Sequence, residues 1–372
     1  MLSRLTAAAG RRALILGTVA LVATVAGATL KFSHAGDIVV FVVTAIALAS
    51  LASVVGEATD QLGTRMGPGA TGVVQSALGN LPELFISIFA LRAGLVVVVQ
   101  TALIGSILAN SLLVLGAAFV VGGLKHGTQK FGTSAVRMTA MLLVLSVASL
   151  AIPTLATAAG APDFGHATFI SVVTSIVLLI VFVGSIPLSI KGTIGPSHER
   201  EAEDERKASE PGEARWTLAA SLIVLALAGV AAALVSDWFV ASLTPAMGRL
   251  GLSEEFVGLV IVAIAGNAVE NVVGITAAAR NQSDLAVSLI LNSSLQVALL
   301  LVPVLVLLSM VLGGPILTLV APMLLIAALA LAAVLGALIV FDGESTYVEG
   351  LALIGLYVII AASVWYGRPV GG

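Results

Sequence analysis

Long apolar runs, separated by short breaks rich in Gly, Pro or charge, make up nearly the whole chain. The runs fall at about 13–30, 37–66, 71–92, 95–121, 133–156, 167–190, 216–250, 254–279, 285–312, 316–341 and 346–366. A helix needs about 20 residues to cross the hydrocarbon layer, and these runs are of that order or longer. Barrel strands would instead alternate apolar and polar residues over about 10 positions. Backbone in hydrocarbon must pair within its own segment, so the runs predict helices. The expectation is an all-α polytopic membrane protein with eleven transmembrane helices.

The first run carries Ala26-Gly27-Ala28, which resembles a signal-peptide cleavage site. It is longer than the usual apolar core of such a peptide, about 7–15 residues, and so reads as a span. One long polar stretch, 191–215, divides the rest. It contains HEREAEDERKASEPGE, with Glu199, Glu201, Glu203, Asp204, Glu205, Glu210 and Glu213. The expected organisation is an N-terminal helix (1–34), a five-helix half (35–190), an acidic linker (191–215) and a second five-helix half (216–372). Such a charge run is most simply a solvated segment; gathering or sensing cytosolic cations is the functional alternative.

Composition agrees. The 372 residues are 59% hydrophobic and 10% charged, with a mean hydropathy of +1.13. A soluble domain carries about 25% charged residues. The absence of cysteine rules out disulfides, thiolate metal sites and cysteine nucleophiles. No HExxH motif or paired Ser and His lies in the spans, so a membrane hydrolase fits poorly. Neither an enzyme activity nor a cofactor nor a nucleic-acid partner is expected. The oligomeric state stays open.

Basic residues set the orientation, because Lys and Arg concentrate on the cytoplasmic side. With the N-terminus inside and eleven alternating spans, Lys31, Arg92, Arg249 and Arg368 fall outside. The other 13 of the 17 Lys and Arg residues fall inside. The N-terminus and the acidic linker are thus expected in the cytoplasm. An odd number of helices in each half makes the second half enter from the opposite side, giving inverted repeats.

The chemistry concentrates in two stretches offset by 187 residues. GNLPELFISIFALRAGLVVVVQTALIGSILANSLLVLG begins at Gly79, and GNAVENVVGITAAARNQSDLAVSLILNSSLQVALLLVP begins at Gly266. Gly79 falls on Gly266, Asn80 on Asn267, Glu83 on Glu270 and Ser106 on Ser293. A carboxylate near mid-bilayer costs about 2.5–3.5 kcal/mol on insertion scales, so it normally has a partner. A single Glu could be protonated or bonded to a neighbouring helix. Two at matching repeat positions, with no Lys or Arg nearby in the spans, point to a bound cation. Asn and Glu at i and i+3 share a helical face, and such oxygen ligands suit hard cations. The Gly before each Asn, and Pro82, weaken the helix and could free carbonyls as further ligands. Glu83, Glu270, Asn80 and Asn267 are therefore the candidate metal ligands. Ser106, Asn110, Ser293, Ser294, Gln296, Gly79 and Gly266 form a second rank. Gln100, near a span's start, is a weaker candidate, and Glu57 reads as a residue of an access path or of the membrane interface.

At these residues the chain resembles the calcium/cation antiporter superfamily and, within it, the cation/proton exchanger (Ca2+/H+ antiporter) family. The resemblance rests on Gly79-Asn80-x-x-Glu83 with LIGSILANSLLVLG, and on Gly266-Asn267-Ala268-Val269-Glu270 with NSSLQVAL. It implies export of Ca2+ from the cytosol against entering H+, with the repeat Glu and Asn residues at the ion site and Ca2+ as transported ion. Members often have Thr before the first motif Glu, where this chain has Pro82. They often have His after the second, where it has Asn271. A monovalent or other divalent cation, Na+ coupling, and a cation channel are the alternatives.

Overall fold

The computed structural model describes residues 11–33, 36–63, 78–160, 166–190 and 216–365. The acidic linker lies outside them, as does the expected junction of the second and third spans. The helices are α1 (Arg11–Phe32), α2 (Asp37–Gly63), α3 (Leu81–Arg92), α4 (Val96–His126), α5 (Thr133–Ala158), α6 (Ala167–Ile190) and α7 (Leu218–Leu250). They continue with α8 (Glu254–Gly266), α9 (Ala268–Ala279), α10 (Ser283–Ser309), α11 (Met323–Ile339) and α12 (Tyr347–Ser363). Two short strands, β1 (Gln129–Lys130) and β2 (Glu344–Ser345), pair antiparallel. Among the described residues, seven helices are individually long and apolar enough to cross a membrane. The limbs α8 and α9, bent by 65° at their junction, make up to eight, and α11 and α12 are apolar helices of 17 residues.

The two motif stretches fold alike. A turn at Asn80 and another at Asn267 precede α3 and α9, each 12 residues long. Both end in the same tight hairpin. Gly94 N donates to Leu91 O and Leu95 N to Ala90 O; 187 residues later, Asn281 N donates to Ala278 O and Gln282 N to Ala277 O. The hairpins need positive φ, supplied by Gly94 (81°) and Asn281 (63°). Asn is the side chain that best tolerates that conformation.

Close contacts divide the chain into two compact units. In the first, α2 and α7 run antiparallel. Asp37 at the start of α2 pairs with Arg249 in the last turn of α7 at 2.9 Å, and Phe41 stacks on Phe239 at 5.1 Å. Between them pack Leu48, Val55, Val235 and Leu243, all buried. Along α1, by contrast, Leu21 and Val22 are exposed, as expected of a lipid-facing helix.

The second unit is built around α4 and α10, whose apolar windows are 78% and 72% buried. Gly105 of α4 meets Leu259 of α8 so closely that a Cβ would sit 2.4 Å from the Leu259 carbonyl oxygen. Small residues let membrane helices approach in this way. α5 and α11 are antiparallel. Arg137 donates to Phe341 O at 2.7 Å and lies over its ring, while Thr154 near the other end of α5 bonds Leu319 O and Ala321 N.

Two expectations change here. The loop expected at 122–132 begins only at Gly127, with α4 continuing to His126. The span expected at 316–341 is helical only from Met323, and residues 315–322 form neither helix nor strand. Non-helical backbone at such positions must be paired inside the protein, and side chains do this. Gln100 Nε2 donates to Thr318 O and Val320 O. Ser171 Oγ accepts from Leu319 N, Thr154 Oγ1 from Ala321 N and Ser309 Oγ from Leu317 N.

Candidate functional site

In the first unit, Asn80 occupies its turn and Glu83 the first turn of α3, where unpaired N–H groups favour an acidic side chain. Pro82 sits in that same turn, where its missing N–H breaks no helical bond. Glu83 and Asn267 are fully buried and Asn80 nearly so. Gly266 lies directly against Glu83: a Cβ on Gly266 would be 3.3 Å from Glu83 Cβ, 3.5 Å from Cγ and 3.7 Å from Cδ. The glutamate of the first motif therefore rests on the glycine of the second. Gly79 is half-buried.

In the second unit, Glu270 is half-buried in the first turn of α9. α4 and α10 are joined by two adjacent polar bridges. Asn110 Nδ2 donates to Ser293 Oγ at 3.0 Å, and Ser111 Oγ lies 3.2 Å from Ser294 Oγ. Ser294 also donates to Ile290 O. With its amide nitrogen held, Asn110 turns Oδ1 into a buried position without a hydrogen-bond partner among the described residues. A fixed, unpaired carbonyl oxygen is what a hard cation takes as ligand. Ser106 is fully buried one turn earlier on α4, while Gln296 is half-buried.

Asn110 and Ser111 sit in a widened stretch of α4, and a second widened stretch follows Ser293 and Ser294 on α10. Residues Ala109–Val114 of α4 and Val297–Leu301 of α10 are π-helical, a feature frequent at functional sites. Ser111 was not among the residues singled out from sequence; its place beside Asn110 in an otherwise apolar run was the available signal. Gln100, a weak candidate, instead clamps the non-helical segment 315–322. Among the described residues no three His, Asp or Glu side chains cluster as a metal centre.

Known proteins resemble this chain in sequence and fold. The family model described as sodium/calcium exchanger protein matches residues 36–191 and 220–366. The Ca2+/H+ antiporter of Synechocystis sp. is 33% identical over 347 residues, covering 89% of this chain and 92% of that protein. A crystal structure of the Ca2+/H+ antiporter protein YfkE is similar with a TM-score of 0.79 at 30% identity, covering 94% of this chain and 99% of that one. The H+/Ca2+ exchanger CAX shares the fold, with a TM-score of 0.74 at 16% identity over 95% of this chain and 91% of that one. With both halves matched by one family model, the chain belongs to the sodium/calcium exchanger protein family.

Proposed function

We propose that the protein exports Ca2+ from the cytosol in exchange for protons by alternating access. The observation that carries this reading is the burial of Glu83 against Gly266 of the second motif, in a chain whose relatives are named Ca2+/H+ antiporters. Glu83 and Glu270 would balance the charge of a divalent ion. Asn80, Asn267 and Asn110 Oδ1 would add neutral oxygens, with Ser106, Ser293 and Ser294 in support. Ca2+ prefers 6–8 oxygen ligands, so carboxylates alone would leave it short. Protons and Ca2+ compete for the same carboxylates, so each crosses when the other has left. Two protons returned per Ca2+ would make the cycle electroneutral.

Eleven spans in two inverted five-helix halves (35–190 and 216–372), after an N-terminal helix (1–34), suit the contacts at the helix ends. Asp37 meets Arg249. Leu91 lies beside Gly314, and Ser253 Oγ bonds Val364 O. Elsewhere His126 Nε2 bonds Ala279 O, Asp284 accepts from Gly132 N, and β1 pairs with β2. In an eleven-span chain the first three contacts lie outside and the last three inside, with none joining opposite sides. The Asp37–Arg249 pair needs an even number of crossings between its partners, as the six spans expected between residues 37 and 249 would give. Inversion gains support from equivalent helices. α2 and α7 correspond at the 187-residue offset, as do α5 and the segment containing α11, and both pairs are antiparallel. The N-terminus and the linker (191–215) would then be cytoplasmic.

Glu83→Gln and Glu270→Gln, reconstituted in proteoliposomes, test the site. Each should abolish Ca2+ exchange while the protein stays monodisperse. Near-normal exchange in either variant removes that residue from the ligand set.

A further inference from the structure

Glu83 and Ser87, at i and i+4, share a face of α3, and Asn80 occupies the turn just before that helix. Ser87 is 1% exposed, and its Oγ has no hydrogen-bond partner among the described residues. Thr24, Ser221, Ser236 and Ser345 also carry buried hydroxyls without a partner among the described residues, but of these five Ser87 is the one that lies a helical turn from Glu83 on the same helix. Other buried hydroxyls bond back to the carbonyl four residues earlier, as Thr44 does to Val40, Thr59 to Val55 and Ser175 to Ser171. Ser87 does not take the corresponding bond to Glu83 O. A buried hydroxyl left without a partner costs about 1–3 kcal/mol, so its orientation points to a partner from outside the protein.

The second motif has no counterpart. Its equivalent position is Gly274, where a Cβ would stand 2.8 Å from Ile290 Cγ1. A side chain there would require Ile290 to shift, and glycine offers no side-chain oxygen, so the extra oxygen exists on one side only. α3 runs towards the outer face in the eleven-span arrangement, and one helical turn is about 5.4 Å. Ser87 thus stands one turn outward of Glu83.

We propose that Ser87 Oγ is a cation ligand on the outward side of Glu83, through which Ca2+ leaves the site and re-enters it in reverse exchange. The inference rests on the exchanger reading above. As a neutral oxygen it holds a partly dehydrated Ca2+ while Glu83 takes up its proton. The ion then leaves without passing through a stretch that offers it no ligand.

The test uses the full chain in oriented proteoliposomes, with the wild type run alongside. Ser87→Ala should raise the half-saturating Ca2+ concentration at the outer face roughly tenfold, as loss of one bond to a charged partner predicts. At the cytoplasmic face the change should stay within about twofold, a sidedness that a general packing defect would not produce. Ser87→Cys adds a readout in a chain that otherwise lacks cysteine. A thiol favours soft metals, so micromolar Cd2+ should block this variant more strongly than the wild type, and excess Ca2+ should relieve the block. Unchanged outer-face saturation in Ser87→Ala, together with wild-type Cd2+ sensitivity in Ser87→Cys, overturns the proposal. A wild type without proton-coupled Ca2+ exchange defeats the parent reading and this one with it.

Discussion

Adding one methyl group at Gly266 should separate transport from stability. In Gly266→Ala the new Cβ would lie 3.3 Å from Glu83 Cβ. Carbon atoms in good contact sit about 3.5–4.0 Å apart, so one side must yield by a few tenths of an ångström. Glu83 is fully buried in the first turn of α3, and its carboxylate is the group that moves. A 1 Å misplacement at a reacting centre costs roughly 100-fold. A third to a half of that displacement predicts about a 4- to 10-fold fall in Ca2+ exchange. Stability moves little. Overpacking costs about 1 kcal/mol at the low end, while replacing Gly by Ala within a helix returns about 0.5–1 kcal/mol. Gly229→Ala is the control: it lies within α7, and a Cβ there meets nothing within 4 Å. Initial rates of 45Ca2+ uptake and thermal unfolding in detergent would be measured on all three proteins. A Gly266→Ala variant that transports within twofold of wild type would refute the reasoning, as would one whose activity loss matches a fall in melting temperature.

Three further outcomes follow from other parts of the molecule. Asn110→Leu should lower apparent Ca2+ affinity at least tenfold. Ser293→Ala, which frees the amide but keeps it, should have a smaller effect, measured as half-saturating Ca2+ in the same uptake assay. Gln100→Leu strips the donor from Thr318 O and Val320 O, so it should cost about 2–4 kcal/mol of stability, visible as a lower melting temperature with unchanged ion preference. Neutralising the acids of 199–213 should alter the rate or the apparent cation affinity but not the selectivity order, checked by competition among Ca2+, Mn2+ and Mg2+.

The hydrophobic pattern carried most of the fold, because lipid leaves helices few ways to arrange their backbone. It located the cores of the spans, and the repeated Gly-Asn marked both turns ahead of Glu83 and Glu270. What it missed were features set by packing. Residues 315–322 are as apolar as a helix, and only Pro315 and Pro322 hinted at the non-helical course whose backbone Gln100, Thr154, Ser171 and Ser309 pair. The π-helical stretches around Asn110 and Val297 left no compositional trace. The contact between Glu83 and Gly266 joins residues 183 positions apart and could be anticipated only from the repeat. Ser87 read as one small residue in an apolar helix until its unpaired hydroxyl was seen.

The central claim is that protons drive Ca2+ through this protein. Its most direct test is 45Ca2+ uptake into proteoliposomes of the wild-type chain under an imposed pH gradient, acid on the side towards which Ca2+ moves, with the membrane potential clamped. The account predicts uptake that accelerates with the gradient, collapses when a protonophore dissipates it, and is absent from Glu83→Gln and Glu270→Gln. Uptake indifferent to the proton gradient but driven by a Na+ gradient would contradict it.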